Sequence, residues 1–297
     1  MSPSAALHDP VFRAYLVIVF GVLLGAGIVL VLLEFVFRIG LGDVGKTYRS
    51  WLVMAPLVAL VIFAGRVPFL IGTAVVSLLA CNEYSRVSGL ARDRWMSGVV
   101  YAGVFLMALG CEPIFLLPLV FLPPILRNRA EGELRLMSLG MIALVLLGWM
   151  FGQIGFLANT GHAYGYLCYV IFATGVTDVS AFVFGKVFGR HPLRSGISPR
   201  KTWEGALGAF AVALALPWLL RFSFPFFGAG QLILAGLIVG IGGPLGDLSL
   251  SVIKRDLGAK DWGVAIPGHG GVLDRIDSLI FVVPLFIRMT EYYYPGR

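Results

Sequence analysis

Long apolar runs separated by short polar stretches dominate the chain. Runs at 14–37, 136–158, 164–184, 205–221, 229–246 and 276–289 predict membrane-spanning helices, because roughly 20 apolar residues in a helix cross ~30 Å of hydrocarbon. Two longer regions, 51–82 and 96–126, each predict a tight pair of short spans, broken near Arg66 and near Glu112-Pro113. The sum is about eight to ten transmembrane helices of that reach. A closed barrel would alternate in polarity, which these runs do not, and lipid offers the backbone no other partner. The expected fold is all-α, a polytopic integral membrane protein with a polar site on its cytoplasmic face.

Composition removes the soluble alternative. Of the 297 residues 58% are hydrophobic and only 13% charged, with a mean hydropathy of +0.89, whereas a soluble domain carries about a quarter of its residues as charges. Cys81, Cys111 and Cys168 lack paired or metal-ligand spacing and are expected in the core. The first nine residues carry no basic n-region, so a cleaved signal peptide is not expected.

The 23 basic and 16 acidic residues leave +7. Most of the cations lie in short loops, which points to anionic headgroups, a phosphorylated substrate and topological anchoring rather than nucleic acid. Segment 185–201 holds Lys186, Arg190, Arg194, Arg200 and Lys201 with no acid, and is expected on the cytoplasmic side. Counting spans puts the 127–135 and 247–275 segments on that side and both termini outside. Of the 39 charges, 16 fall between Lys186 and Asp277. Residues 1–135 therefore read as a transmembrane scaffold, and 136–297 as the catalytic region.

Candidate chemistry sits in that second region. If the helix at 229–246 continues, Asp247, Ser251, Lys254 and Arg255 share one face. Lys260-Asp261, His269-Gly270-Gly271 and Asp274-Arg275-Ile276-Asp277 follow. Carboxylates beside Lys and Arg suit magnesium and a nucleotide, and glycines let backbone N–H groups approach phosphate. The bland alternative is a solvated loop whose charges pair off. His269 fits a phosphate contact or an ordinary loop hydrogen bond, while His191, with no carboxylate nearby in sequence, reads as a loop residue. Ser198-Pro199 reads as a helix start that offers Arg200, Lys201 and free N–H groups to an anion, or simply as a capped helix. Asp178, the only formal charge between Arg135 and Lys186, needs a partner or a wet cavity.

These residues resemble the bacterial phosphatidate cytidylyltransferase family. Its pattern, Ser-x-apolar-Lys-Arg, four residues, Lys-Asp, a spacer, then His-Gly-Gly-apolar-x-Asp-Arg-apolar-Asp, is matched from Ser251 to Asp277, and Ser-Pro-x-Lys-Thr-Trp-x-Gly is matched from Ser198 to Gly205. Asp178 begins a family-like Asp-x-x-Ala stretch. Phe182 stands where the family often has Tyr, and Ala209 where it often has Gly; neither change removes a charge.

The resemblance implies transfer of the cytidylyl group of CTP to phosphatidate in the bacterial inner membrane. Magnesium would be bound by Asp247 and Asp274, with a second, monovalent cation left open. Lys254, Asp277 and His269 are the expected catalytic residues. Substrates would be bound by Asp178, Ser198, Lys201, Thr202, Glu204, Ser251, Arg255, Lys260, Asp261, Gly270, Gly271 and Arg275. The expected partners are CTP, phosphatidate and anionic lipids, without nucleic acid, and a homo-oligomer is left open. The alternatives are a CTP-dependent enzyme acting on another phosphorylated lipid and a non-enzymatic anionic-lipid transporter.

Overall fold

A computed structural model of the chain describes residues 1–35, 42–263 and 270–294. A short helix α1 (Pro3–His8) leads into α2 (Pro10–Phe35), α3 (Gly42–Phe63) and α4 (Arg66–Ser88). Next comes α5 (Arg94–Ala108), followed by the short α6 (Pro113–Leu116) and α7 (Leu122–Leu126). Helix α8 (Glu133–Ala143) continues through a π-helical stretch, Leu144–Met150, to α9 (Ile154–Leu157). After α10 (Ala163–Phe188), a hairpin of β1 (Pro192–Arg194) and β2 (Ser198–Thr202) precedes α11 (Trp203–Leu219), α12 (Ala229–Asp256) and α13 (Leu273–Tyr293).

Every predicted apolar run is helical where described. The two pairs break where expected, at Ala64-Gly65 before Arg66 and at the turn before Pro113. Among the described residues, five helical runs are long and apolar enough to cross a membrane: Pro10–Phe35, Arg66–Ser88, Glu133–Leu157, Ala163–Phe188 and Ala229–Asp256. Thr47–Phe63, Arg94–Ala108, Pro113–Leu126 and Trp203–Leu219 are shorter apolar helices. The chain is an all-α polytopic membrane protein. On α2 only Phe12 and Tyr15 are buried, so its outward face is largely apolar surface for lipid to cover.

The interior has two apolar clusters. In one, Tyr15, Tyr166, Tyr169, Phe224, Phe227 and Phe286 join α2, α10, the segment after α11, and α13. Tyr15 Oη lies 2.8 Å from Ser223 Oγ, which satisfies a buried hydroxyl. The other gathers Tyr84, Met96, Val104, Leu144, Leu147, Trp262, Leu273 and Ile280 beneath the start of α13. Both clusters draw on residues from either side of position 135.

In lipid, apolar surface gains little by leaving the solvent, so helices associate through close packing at small residues. α10, α11, α12 and α13 pack in succession, with glycines at the crossings. A Cβ on Gly205 would lie 2.6 Å from the Ala181 carbonyl oxygen, and one on Gly246 would lie 2.2 Å from that of Asp277. The second crossing brings Asp247 beside the first turns of α13.

Two expectations are corrected. Ser198-Pro199 does not start a helix: these residues begin β2, paired antiparallel with β1 in the register Arg194↔Ser198 and Pro192↔Thr202. The helix starts after Thr202, whose hydroxyl accepts from Gly205 N at 3.2 Å. Pairing with β1 overrides the local Ser-Pro signal, and the fixed φ of proline is tolerated in a short hairpin edge. Cys111, expected in the core, is exposed in the turn after α5, whereas Cys81 and Cys168 are buried.

Candidate active site

Helix α12 continues past its apolar run to Asp256, as the shared-face reading required. Its last turns present Asp247 and, one turn on, Ser251, whose hydroxyl donates to Asp247 Oδ1 at 3.3 Å. The other oxygen, Asp247 Oδ2, is ion-paired with Lys201 Nζ at the end of β2. One further turn along, Lys254 is buried, and its Nζ donates to Asp274 Oδ1 at 2.7 Å. Arg255 turns outward: Nε donates to the Ile197 carbonyl and Nη1 to the Ala259 carbonyl, both at 3.1 Å. It ties the hairpin to the segment after α12.

The start of α13 completes the cluster. Asp274 Oδ2 accepts from Trp262 N at 3.1 Å and Gly271 N at 3.0 Å, so three donors hold this carboxylate. Asp277 is buried and accepts from Ser278 N at 2.7 Å. Ser278 Oγ donates to Asp178 Oδ1 at 3.2 Å, linking α13 to α10. Asp178 and Asp277 each feel the charge of Asp247 and lie near enough for Asp277 to feel Asp178 as well. Lys201 and Arg275 act on Asp178, and Lys254 on Asp277. Four carboxylates, Asp274 included, and three cations thus share one electrostatic neighbourhood at the meeting of α10, α12, α13 and the hairpin. Crowded like charges of this kind are costly unless a cation or a proton offsets them.

Other predicted residues lie around this cluster. Glu204 braces the hairpin: its carboxylate meets His191 Nδ1 at 2.5 Å and accepts from Arg190 N at 3.1 Å and His191 N at 3.3 Å. Thr202 caps α11. Ser198 lies at the start of β2; Lys260, Asp261 and Arg275 are exposed, and Gly270 takes a positive φ of 80°. His269 lies outside the described residues.

Two contributions were missed in the sequence. Glu83, from α4, is buried and accepts from Val272 N at 2.9 Å and Leu273 N at 2.8 Å. It lies just past the 51–82 run with Asn82 and Arg86 beside it, and so lacked the isolation that marked Asp178. His191 pairs with Glu204, a carboxylate 13 positions away, which a search for nearby partners does not reach.

The donors are all oxygens and so suit a hard cation. Among the described residues no group of three or more His, Cys, Asp or Glu is spaced to hold a metal ion by itself. Magnesium characteristically uses one or two carboxylates and takes its remaining ligands from water and phosphate. Asp247, part exposed, fits that need, and Asp274 keeps one lone pair beyond its three donors.

Residues 46–293 match the model of the cytidylyltransferase family. A protein of Escherichia coli K12 named uncharacterized protein YnbB is 31% identical over 84% of this chain and 88% of its own length. Phosphatidate cytidylyltransferases of Staphylococcus haemolyticus and Staphylococcus aureus are 40% and 42% identical, in each case over 48% of this chain and 54% of the relative.

Proposed function

We propose that this chain, which belongs to the cytidylyltransferase family, transfers the cytidylyl group of CTP to phosphatidate at the cytoplasmic face of a bacterial inner membrane. A phosphate oxygen of phosphatidate attacks the α-phosphorus of CTP and forms the new P–O–P bond. The α–β bridge breaks, pyrophosphate departs with the electron pair, and CDP-diacylglycerol remains. Such a displacement needs no covalent enzyme intermediate, so positioning and charge neutralisation carry it.

The observation that carries this function is the joining of the Lys201–Asp247 and Lys254–Asp274 pairs in one cluster at the ends of apolar helices. A lipid phosphate and a water-soluble nucleotide can meet only at such a boundary. Lysine makes point contacts and can share its three donors among several oxygens. Lys201, Lys254 and the exposed Arg275 would therefore take the phosphates while remaining close to their carboxylates. Asp247 would hold magnesium, with water and phosphate completing its ligands and Asp277 and Asp178 adding negative charge nearby; when bound, the metal offsets phosphate charge. Asp274, whose Oδ1 accepts only from Lys254, could add one bond to the metal through a remaining lone pair. Arg255 and Glu204, expected to bind substrate, also hold the hairpin in place beside Lys201.

The acceptor has a second reading. The relative matched over most of its length carries no assigned substrate, so another phosphorylated lipid is the alternative. Purified protein given labelled CTP, magnesium and a panel of phosphatidate and polyprenyl phosphates decides between them. Labelled CDP-diacylglycerol with equimolar pyrophosphate is expected. Product from polyprenyl phosphate alone would move the assignment to that acceptor, and intact CTP with every lipid would overturn the enzymatic function.

A further inference from the structure

We infer that Glu83, contributed by the N-terminal half, is a positioning residue for the reaction: it clamps the polypeptide on both sides of Asp274's backbone donors and so sets the Lys254–Asp274 contact. This rests on the cytidylyl-transfer function proposed above.

A buried carboxylate must be well partnered. Glu83 meets this need with two N–H groups at the start of α13, from Val272 and Leu273. Both belong to the set that a helix N-terminus leaves without intrahelical partners, and the helix dipole favours negative charge there. Asp274 takes the neighbouring Gly271 N–H together with that of Trp262. Two carboxylates, from opposite ends of the sequence, thus divide the free donors of one short stretch.

The packing around Glu83 leaves it little freedom. A Cβ on Gly263 would lie 2.8 Å from Glu83 Oε1, and one on Gly271 would lie 2.4 Å from Oε2. Gly263 follows Trp262 and Gly271 precedes the helix, so both backbone donors to Asp274 are flanked by Glu83. The next residue strengthens the grip: the Tyr84 ring lies 5.5 Å from that of Trp262, and its hydroxyl donates to the Leu139 carbonyl at 3.1 Å. Glu83 touches none of the reacting groups proposed above. Its effect reaches them through Asp274 and the 2.7 Å bond to Lys254.

Glu83→Gln keeps the shape but replaces one acceptor oxygen with a donor, so one of the two N–H bonds is lost. Steady-state kinetics should show kcat down by about 10²-fold, the scale of a misplaced catalytic group, with KM for CTP little changed. Hydrogen exchange of intact protein in detergent should show faster exchange across 271–275 and no change in α10. Glu83→Asp, with its charge kept and its reach shortened, should recover part of kcat, and it carries the test if the Gln variant does not fold. Unchanged kcat despite released amides would reduce Glu83 to a helix cap and overturn the inference, as would amides that stay protected. Faster exchange in a protein whose wild type never consumes CTP would leave the clamp standing and remove the proposed reaction.

Discussion

Among the described residues, the N-terminal half holds a two-toothed ion pair, and the C-terminal half holds several made by single points. Asp93, the cap of α5, receives Arg127 Nη1 at 2.5 Å and Nη2 at 2.6 Å and also accepts from Met96 N at 2.9 Å. The Arg127 guanidinium also lies 5.7 Å over the Trp95 ring. This two-toothed contact holds the Asp93 carboxyl well below its usual range, at about 2. Around Asp247 the cations are lysines making single-point contacts, and two further carboxylates crowd in. A planar fork that satisfies its partner has nothing left to offer, whereas lysines beside surplus carboxylates can still take up phosphate and metal. Ion pairs of similar length therefore serve different ends: one fixes a loop, the others keep a site ready to bind.

The comparison breaks most sharply at Asp247. Asp247→Asn should lower cytidylyl transfer by about 10²-fold or more, the scale of a lost charge-stabilising group, while the protein still elutes as a folded species by size exclusion. Activity close to wild type would put Asp247 in the same class as Asp93. Gly246→Ala comes next, because its methyl would collide with the Asp277 backbone rather than with a movable side chain. Activity and melting temperature should fall together, which separates a packing defect from a chemical one.

Arg255→Ala should act more weakly. It frees the Ile197 and Ala259 carbonyls and loosens the hairpin that carries Lys201. KM for CTP should rise by several-fold with kcat nearly unchanged, as expected when binding contacts common to ground and transition states are lost.

Asp93→Asn should have the smallest effect and leave transfer intact. Because the folded pKa lies below the ordinary value of 3.8, the pair contributes stability above about pH 4 and loses it as pH falls through about 2. The variant's melting temperature should therefore trail wild type at pH 7 and converge with it near pH 2. The gap should be small, since part of each side chain stays in reach of water.

Much of this arrangement was legible in the sequence. Hydropathy located the helical runs and both paired breaks, and the i, i+4 spacing of Asp247 and Ser251 anticipated a bond that forms. The outward turn of Arg255 was not legible, because its partners are backbone carbonyls on another segment. The start of α11 was misread because Ser-Pro is an equally good opening for a helix or a short strand, and only pairing with β1 decides. Glu83 sits in a polar stretch at the end of the 51–82 run, and its partners lie 189 and 190 positions away. Local pattern reports what a segment can do; which distant group it meets is set by packing.

The central claim is that the charge cluster of the C-terminal half performs cytidylyl transfer. It is tested most directly by measuring labelled CDP-diacylglycerol formed from CTP and phosphatidate by wild type, Lys254→Ala and Asp93→Asn side by side. The predicted result is product from wild type and Asp93→Asn, and a loss of about 10²-fold or more for Lys254→Ala. Equal product from Lys254→Ala and wild type, or none from wild type, would contradict it.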